Sequence, residues 1–218
     1  MQKSDKVAIV LHGDLGKSDD LWTWTKEADM VVAADGAADV LMSLGIRPDL
    51  VIGDMDGILP QTLEMLPDTA VTKLLDQNST DFQKALRHVH DNFYVKSLAV
   101  LSYEGTRVDH MLSALFTAAA YTDKMRLRFV GSDAQAIVLG PGEHLLDTRP
   151  DIRVSLLPLR TVTVETATGL TYNADGMTFS VGGRDGISNV ATGDRVGLNI
   201  STGSLIAFVE RFEGEAHW

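Results

Sequence analysis

Residues 30–58 read MVVAADGAADVLMSLGIRPDLVIGDMDGI, and the folding of that stretch decides the rest of the chain. MVVAAD (30–35) is a short apolar run with β-branched residues that ends in an acid. GAADVLMSLG (36–45) has apolar residues at helical spacing, Val40, Leu41 and Leu44, and a glycine to stop it. DLVIGD (49–54) is a second buried-type strand, and it too ends in an acid. Strand, helix, strand is the unit of a parallel sheet covered by helices. Ligands of such sheets bind outside the carboxyl ends of the strands, so Asp35, Asp54 and Asp56 converge on one edge. Two chemistries fit GDMD. Asp54 is a nucleophile that accepts a phosphoryl group, with Asp56 as its acid/base partner, or neither carboxylate reacts and both hold magnesium on a polyphosphate.

The alternation continues on both sides. VAIVLH (7–12), AVTKLL (70–75), KSLAVLS (96–102) and RLRFVGS (126–132) read as strands. STDFQKALRHVHDNF (79–93) and DHMLSALFTAAAY (109–121) read as helices, the first with a capping box at Thr80 and Gln83. The pattern changes near LGPGEH (139–144). VSLLPL, TVTVET, MTFSV, RVGLNI and SLIAFVERF follow as short alternating runs between Gly, Asn and Asp, with no helical period. The expectation is an α/β fold: a parallel-sheet catalytic domain over 1–142, then a small all-β sandwich or barrel over 143–218.

Composition narrows the function. Hydrophobic residues are 44% of the 218 and charged residues 22%, as in a globular protein with a sizeable core. The chain has no cysteine, which excludes disulfides and thiolate metal sites. The first apolar run is too short for a signal peptide or a membrane span, so a cytoplasmic protein is expected. A net charge of −11 argues against nucleic acid or anionic membrane as partners. A phosphate-rich small substrate stays open, provided that a metal offsets the repulsion.

The acids gather at strand-to-helix turns. Asp76 and Asp81 flank the start of the 79–93 helix, and Asp109 opens the next one. Aspartates are common helix caps, which suffices for Asp81 and Asp109 taken alone, but one cap does not need both acids of GDMD. Two motifs fail on inspection. LHGDLGKS (11–18) has Leu11 where a phosphate loop needs its first glycine. The histidines of HVH (88–90) are two apart, so on a helix they share no face. DMDG also resembles the first motif of the haloacid dehalogenase phosphatases. That family needs a later acidic pair, and VGSDAQA (130–136) offers only Asp133.

Taken in order, five segments resemble the thiamine pyrophosphokinase family. AADGAADVLMSLGIRPDLVIGDMDGI (33–58) is similar to its A-D-G-[GA]-A, apolar helix and P-D-x-[IV]-[IV]-G-D-x-D-S. DQNSTDFQKAL (76–86) is similar to D-Q-x-x-T-D-x-x-K-A-L, and YEGTRVDHMLSAL (103–115) to a segment built on G-G-R-x-D-H. GLTY (169–172) and GISN (186–189) resemble the C-terminal G-L-[KT]-[WY] and [TI]-S-N. Gly57 departs from the usual serine, and Tyr172 from the more frequent tryptophan.

The resemblance implies transfer of the diphosphate of ATP to the hydroxyl of thiamine, giving thiamine diphosphate and AMP with Mg²⁺. It assigns Asp54, Asp56 and Asp81 to the metal and catalysis, with Asp109 orienting or deprotonating the hydroxyl. Asp35, Asp76, Gln77, Thr80, Lys84, Arg107 and His110 fall to ATP, and Tyr172, Ser188 and Asn189 to thiamine. It also implies a homodimer with the thiamine site completed across subunits. The alternatives are the phosphatase with Asp54 as nucleophile and a nucleotide- or thiamine-binding protein without catalysis.

Overall fold

Each apolar run that precedes an acid becomes a strand whose carboxyl end carries that acid. The computed structural model describes residues 2–15, 18–66, 70–215 and 218. The P-loop-like stretch is therefore seen only in part, because Gly16 and Lys17 lie outside the described residues. Two compact units emerge, residues 1–114 with 218, and residues 115–217.

The first unit runs β1 (Gln2–Lys3), β2 (Lys6–Val10), α1 (Ser18–Glu27), β3 (Met30–Ala34), α2 (Ala37–Ser43) and β4 (Leu50–Gly53). It continues with α3 (Pro60–Glu64), β5 (Ala70–Lys73), α4 (Asp81–Asn92), β6 (Phe93–Tyr94) and β7 (Ser97–Leu101). Helix α5 (Val108–Ala118) follows. Five strands form a parallel array in the order β7-β2-β3-β4-β5. Helix α4 packs on β2, β3 and β4, and α2 on β3. Helix α2 buries Ala37, Ala38 and Leu41, while Val40 and Leu44, the other two residues of the apolar spacing, are only half-buried. Small residues let the helix lie close to the sheet. Thr80 caps α4 as expected: its hydroxyl accepts from Gln83 N, and the Gln83 side chain accepts from Thr80 N at 2.9 Å.

The second unit holds β8 (Arg126–Val130), β9 (Ala134–Leu139), β10 (Gly142–Asp147), β11 (Arg153–Pro158) and β12 (Val162–Thr168). It ends with β13 (Met177–Phe179), β14 (Gly186–Val190), β15 (Arg195–Thr202) and β16 (Leu205–Glu210). Two antiparallel sheets, β14-β11-β16-β9-β8 and β10-β15-β12-β13, turn their inner faces to one core. Val154, Leu156, Val164, Val196, Leu198, Ile200 and Val209 fill it from both sides. The chain thus joins a parallel α/β unit to an all-β sandwich. The compact units part at 114/115, ahead of the change in pattern near 142. The cause is β8, which reads like one more strand of the α/β series but pairs antiparallel with β9, itself paired with β16. No helix among the described residues is long and apolar enough to cross a membrane.

Candidate active site

The loops after β2, β3, β4, β5 and β7 all leave the carboxyl edge of the parallel array, and the acids gather there. Asp35 follows β3 directly and is buried, with 6% of its surface exposed. Its side chain lies between two glycines. A Cβ at Gly53 would sit 2.7 Å from Asp35 Cβ, and one at Gly57 would sit 2.5 Å from its Oδ2. Gly57 N donates to that same oxygen at 3.0 Å. Gly57, the departure from the usual serine, therefore gives Asp35 both its room and a hydrogen bond. Asp35 Oδ1 is buried with no hydrogen-bond partner among the described residues. Burial, and then the charge of Asp81, push its carboxyl above the ordinary range.

Asp54 and Asp56 complete the cluster. One carboxylate oxygen from each of Asp35, Asp54 and Asp56 lies within 4.8 Å of the others. Like charges so close repel, and an unpaired buried carboxylate oxygen is costly. The backbone is strained at the same edge. Asp35 (φ 44°), Met55 (φ 66°) and Ser102 (φ 54°) all occupy the left-handed region that non-glycine residues avoid. Such outliers persist where the surrounding structure fixes them, commonly at ligand sites. Three oxygen donors of this kind suit a hard divalent cation such as Mg²⁺, and the orphaned Asp35 oxygen fits a ligand position.

Asp35 stands with Asp54 and Asp56 in this group, and Asp81, expected beside them at the metal, pairs with Lys84, whose Nζ lies 3.0 Å from Asp81 Oδ1 and 3.8 Å from Asp54 Oδ2. Burial works against the Lys84 charge, but Asp81 and then Asp54 outweigh it and hold the ammonium above its ordinary range. Lys84 is 4% exposed, so it is an internal counter-ion between two acids. Gln77 Nε2 donates to Asp54 Oδ2 at 3.0 Å, the main cause holding that carboxyl below the usual range. Asp76 closes its own turn, accepting from Ser79 Oγ at 2.5 Å and Asn78 N at 2.9 Å. Gln77, Thr80 and Lys84 thus already have work in this structure: they cap α4 and brace Asp54 and Asp81.

At the start of α5 the picture is different. Arg107 and Asp109 form a two-pronged pair, with Nε to Oδ1 at 2.9 Å and Nη2 to Oδ2 at 2.8 Å. Both are about two-thirds exposed, at 67% and 66%. Arg107 therefore pairs within its own turn. The guanidinium holds the Asp109 carboxyl well below the carboxylate range. While the pair lasts, the guanidinium weakens Asp109 as a proton acceptor. His110 is exposed beside it.

In the sandwich unit, Tyr172 is 67% exposed. Asn189 is buried, and its amide is taken up by the backbone of Tyr172. Ser188 is exposed at φ 62°. Gly53 and Gly57 lie inside the GDMDG stretch, but nothing in that motif signals that they make room for Asp35. The strained Ser102, whose buried hydroxyl lacks a partner among the described residues, carries no motif.

Two family models match the chain: "Thiamin pyrophosphokinase, catalytic domain" over residues 21–129 and "Thiamin pyrophosphokinase, vitamin B1 binding domain" over residues 143–206. Thiamine pyrophosphokinase 1 of Oryza sativa subsp. japonica is 25% identical over 167 residues, 69% of this chain and 61% of that protein. The match thus spans about three-fifths of that relative's length. The crystal structure of thiamine pyrophosphokinase from Bacillus subtilis superposes with a TM-score of 0.83 at 21% identity, covering 94% of this chain and 99% of that one. Thiamin pyrophosphokinase from Candida albicans gives 0.79 at 17% identity, covering 96% and 90%. These structural likenesses establish a shared fold.

Proposed function

The chain belongs to the thiamin pyrophosphokinase family, and from that premise we propose that it makes thiamine diphosphate and AMP from thiamine and ATP with Mg²⁺. The observation that carries the proposal is the Asp35–Asp54–Asp56 triad, left with an unpaired buried oxygen at the ligand-binding edge of a parallel sheet.

A protein with a net charge of −11 repels a polyphosphate unless a cation stands between them. Asp35, Asp54 and Asp56 would hold Mg²⁺, which when bound neutralises the β- and γ-phosphoryl oxygens. The chain's own residues then position and exclude. Lys84 offsets the charges of Asp54 and Asp81 and hydrogen-bonds the latter. Gln77 holds the other side of the Asp54 carboxylate. In the proposed complex the phosphates draw Arg107 from Asp109, and the released carboxylate faces the thiamine hydroxyl. Attack of the hydroxyl oxygen on the β-phosphorus, with its proton passing to Asp109, breaks the bond from that phosphorus to the bridging α–β oxygen, and AMP leaves. Such transfer is mainly positioning and electrostatics, so no covalent enzyme intermediate forms. Tyr172 offers its ring face to the thiazolium cation. Catalysis belongs to a cytoplasmic homodimer whose thiamine sites are completed across subunits, as the family resemblance implies.

The test is incubation with ATP, Mg²⁺ and thiamine, with the products resolved. AMP that appears only in the presence of thiamine supports the proposal. Inorganic phosphate released from a phosphomonoester, or an aspartyl-phosphate trapped at Asp54, overturns it.

A further inference from the structure

Asn189 stands at an unusual break in β14. Its partner strand β11 pairs Val154 with Asn189 but Leu156 with Gly186, so Ser155 faces both Ile187 and Ser188. That is a β-bulge: one extra residue on β14. Ser188 takes a left-handed φ of 62°, and its N–H donates at 3.0 Å to the Ser155 hydroxyl. The bulge resets the alternation of the strand. Ile187 and Ser188 are both exposed, and Asn189 is turned inward to 5% exposure. Bulges commonly re-aim a side chain beside a site.

The inward amide is fully directed at one neighbour. Asn189 Oδ1 accepts from Tyr172 N at 3.0 Å and from Val190 N at 2.9 Å, and Nδ2 donates to Tyr172 O at 2.7 Å. Both backbone groups of Tyr172 are thus held by one buried side chain. The segment leading to Tyr172 is fixed too. Leu170 pairs with Ala191, Thr171 N donates to Val190 O at 2.8 Å, and Thr192 N donates to Gly169 O at 2.9 Å. Gly169, at φ 78°, passes so close to β15 that a Cβ would fall 2.2 Å from Arg195 O. An exposed tyrosine at the end of a short segment would ordinarily move freely. Here its peptide is locked while its ring is left in solvent.

We propose that Asn189 is a positioning residue for Tyr172: through the Ser188 bulge it fixes the aromatic wall of the thiamine site and does not itself bind thiamine. The assignment rests on Tyr172 belonging to that site. Holding an aromatic face in place before the ligand arrives removes an ordering cost from binding, and so raises affinity.

Two measurements on the full-length protein test it. The first is backbone hydrogen exchange without substrate. The Tyr172 amide is protected in the wild type and exchanges at least about ten-fold faster in Asn189→Ala, since its acceptor is gone. Unchanged protection overturns the proposal. The second is a double-mutant cycle on the thiamine KM. Asn189→Ala raises it by about two- to thirty-fold, as Tyr172→Ala does, with the ATP KM unchanged and the double variant no worse than Tyr172→Ala. Additive losses mean that Asn189 contacts thiamine directly, and they overturn the proposal. Should Asn189→Ala fail to fold, the same cycle is run on Asn189→Asp, which keeps an acceptor for both amides but sets a carboxylate oxygen against Tyr172 O in place of the donor. A Tyr172→Ala variant with an unaltered thiamine KM removes Tyr172 from the site and takes the proposal with it. Thiamine-dependent AMP formation in that variant shows that the proposed reaction stands regardless.

Discussion

The acidic edge of the α/β unit and the Tyr172 corner of the sandwich solve opposite problems. At the first, three carboxylates crowd together, one buried oxygen has no partner among the described residues, and three non-glycine residues carry strained φ angles. At the second, the buried amide of Asn189 satisfies three backbone groups and leaves an aromatic ring outside. The first region is electrically unfinished, and in the proposed function a cation completes it. The second is finished before any ligand arrives and offers shape. A polyphosphate carried by a metal suits the first, and a flat cationic ring suits the second.

The comparison breaks most sharply at the triad. Asp54→Asn or Asp56→Asn removes a carboxylate proposed to hold Mg²⁺, and loss of several kcal/mol of charge stabilisation predicts about 10²-fold or more lost turnover. Steady-state rates at increasing Mg²⁺ check this, with the apparent Mg²⁺ affinity falling in the same variants. Turnover within two-fold of wild type would remove the triad from catalysis.

A smaller effect is expected at the aromatic corner. A cation–π contact of about 0.5–2 kcal/mol predicts a two- to thirty-fold rise in the thiamine KM for Tyr172→Ala, with the ATP KM nearly constant. Tyr172→Trp preserves or improves binding, because indole has the stronger face. If Tyr172 only packs, the alanine variant loses melting temperature and keeps its thiamine KM.

The smallest effect sharpens the contrast through stability. Asp35 has its carboxyl raised by burial and by Asp81. A carboxyl raised in the folded state contributes most when protonated, at and below the ordinary carboxylate range. That contribution is lost as pH rises through the higher folded value, so at neutral pH the ionised group is a burden. Asp35→Asn should therefore raise the metal-free melting temperature by a few degrees at pH 7 and abolish further stabilisation by Mg²⁺. The gain should shrink as the pH falls toward 4. A variant that melts lower than wild type at pH 7 without metal would show that the ionised carboxylate is not strained.

Much of this was legible in residue order. Apolar runs ending in Asp35 and Asp54 placed both acids on one edge, and Thr80 with Gln83 announced the cap of α4. What escaped was set by geometry without a composition signal. Helix α1 (SDDLWTWTKE) is too polar to show an apolar stripe. Strands β9 and β10 flank Gly140 and Pro141, and that junction hides them. Asp35 joins Asp54 and Asp56 because Gly53 and Gly57 admit its side chain, while Lys84, one turn along the helix, pairs with Asp81. The resemblance marks Asn189 as a residue of the thiamine site. The bulge that turns it toward Tyr172 is a register event, invisible until the strands are paired.

Hydrogen exchange with and without Mg²⁺ and inorganic pyrophosphate reads both regions in one experiment. The Asp35 and Asp54–Gly57 amides are expected to exchange more slowly once both are added. Thr171, Tyr172 and Val190, whose amides are already bonded, should stay unchanged. Exchange at 54–57 that ignores Mg²⁺ and pyrophosphate, or a Tyr172 amide that becomes protected only when they are present, would contradict it.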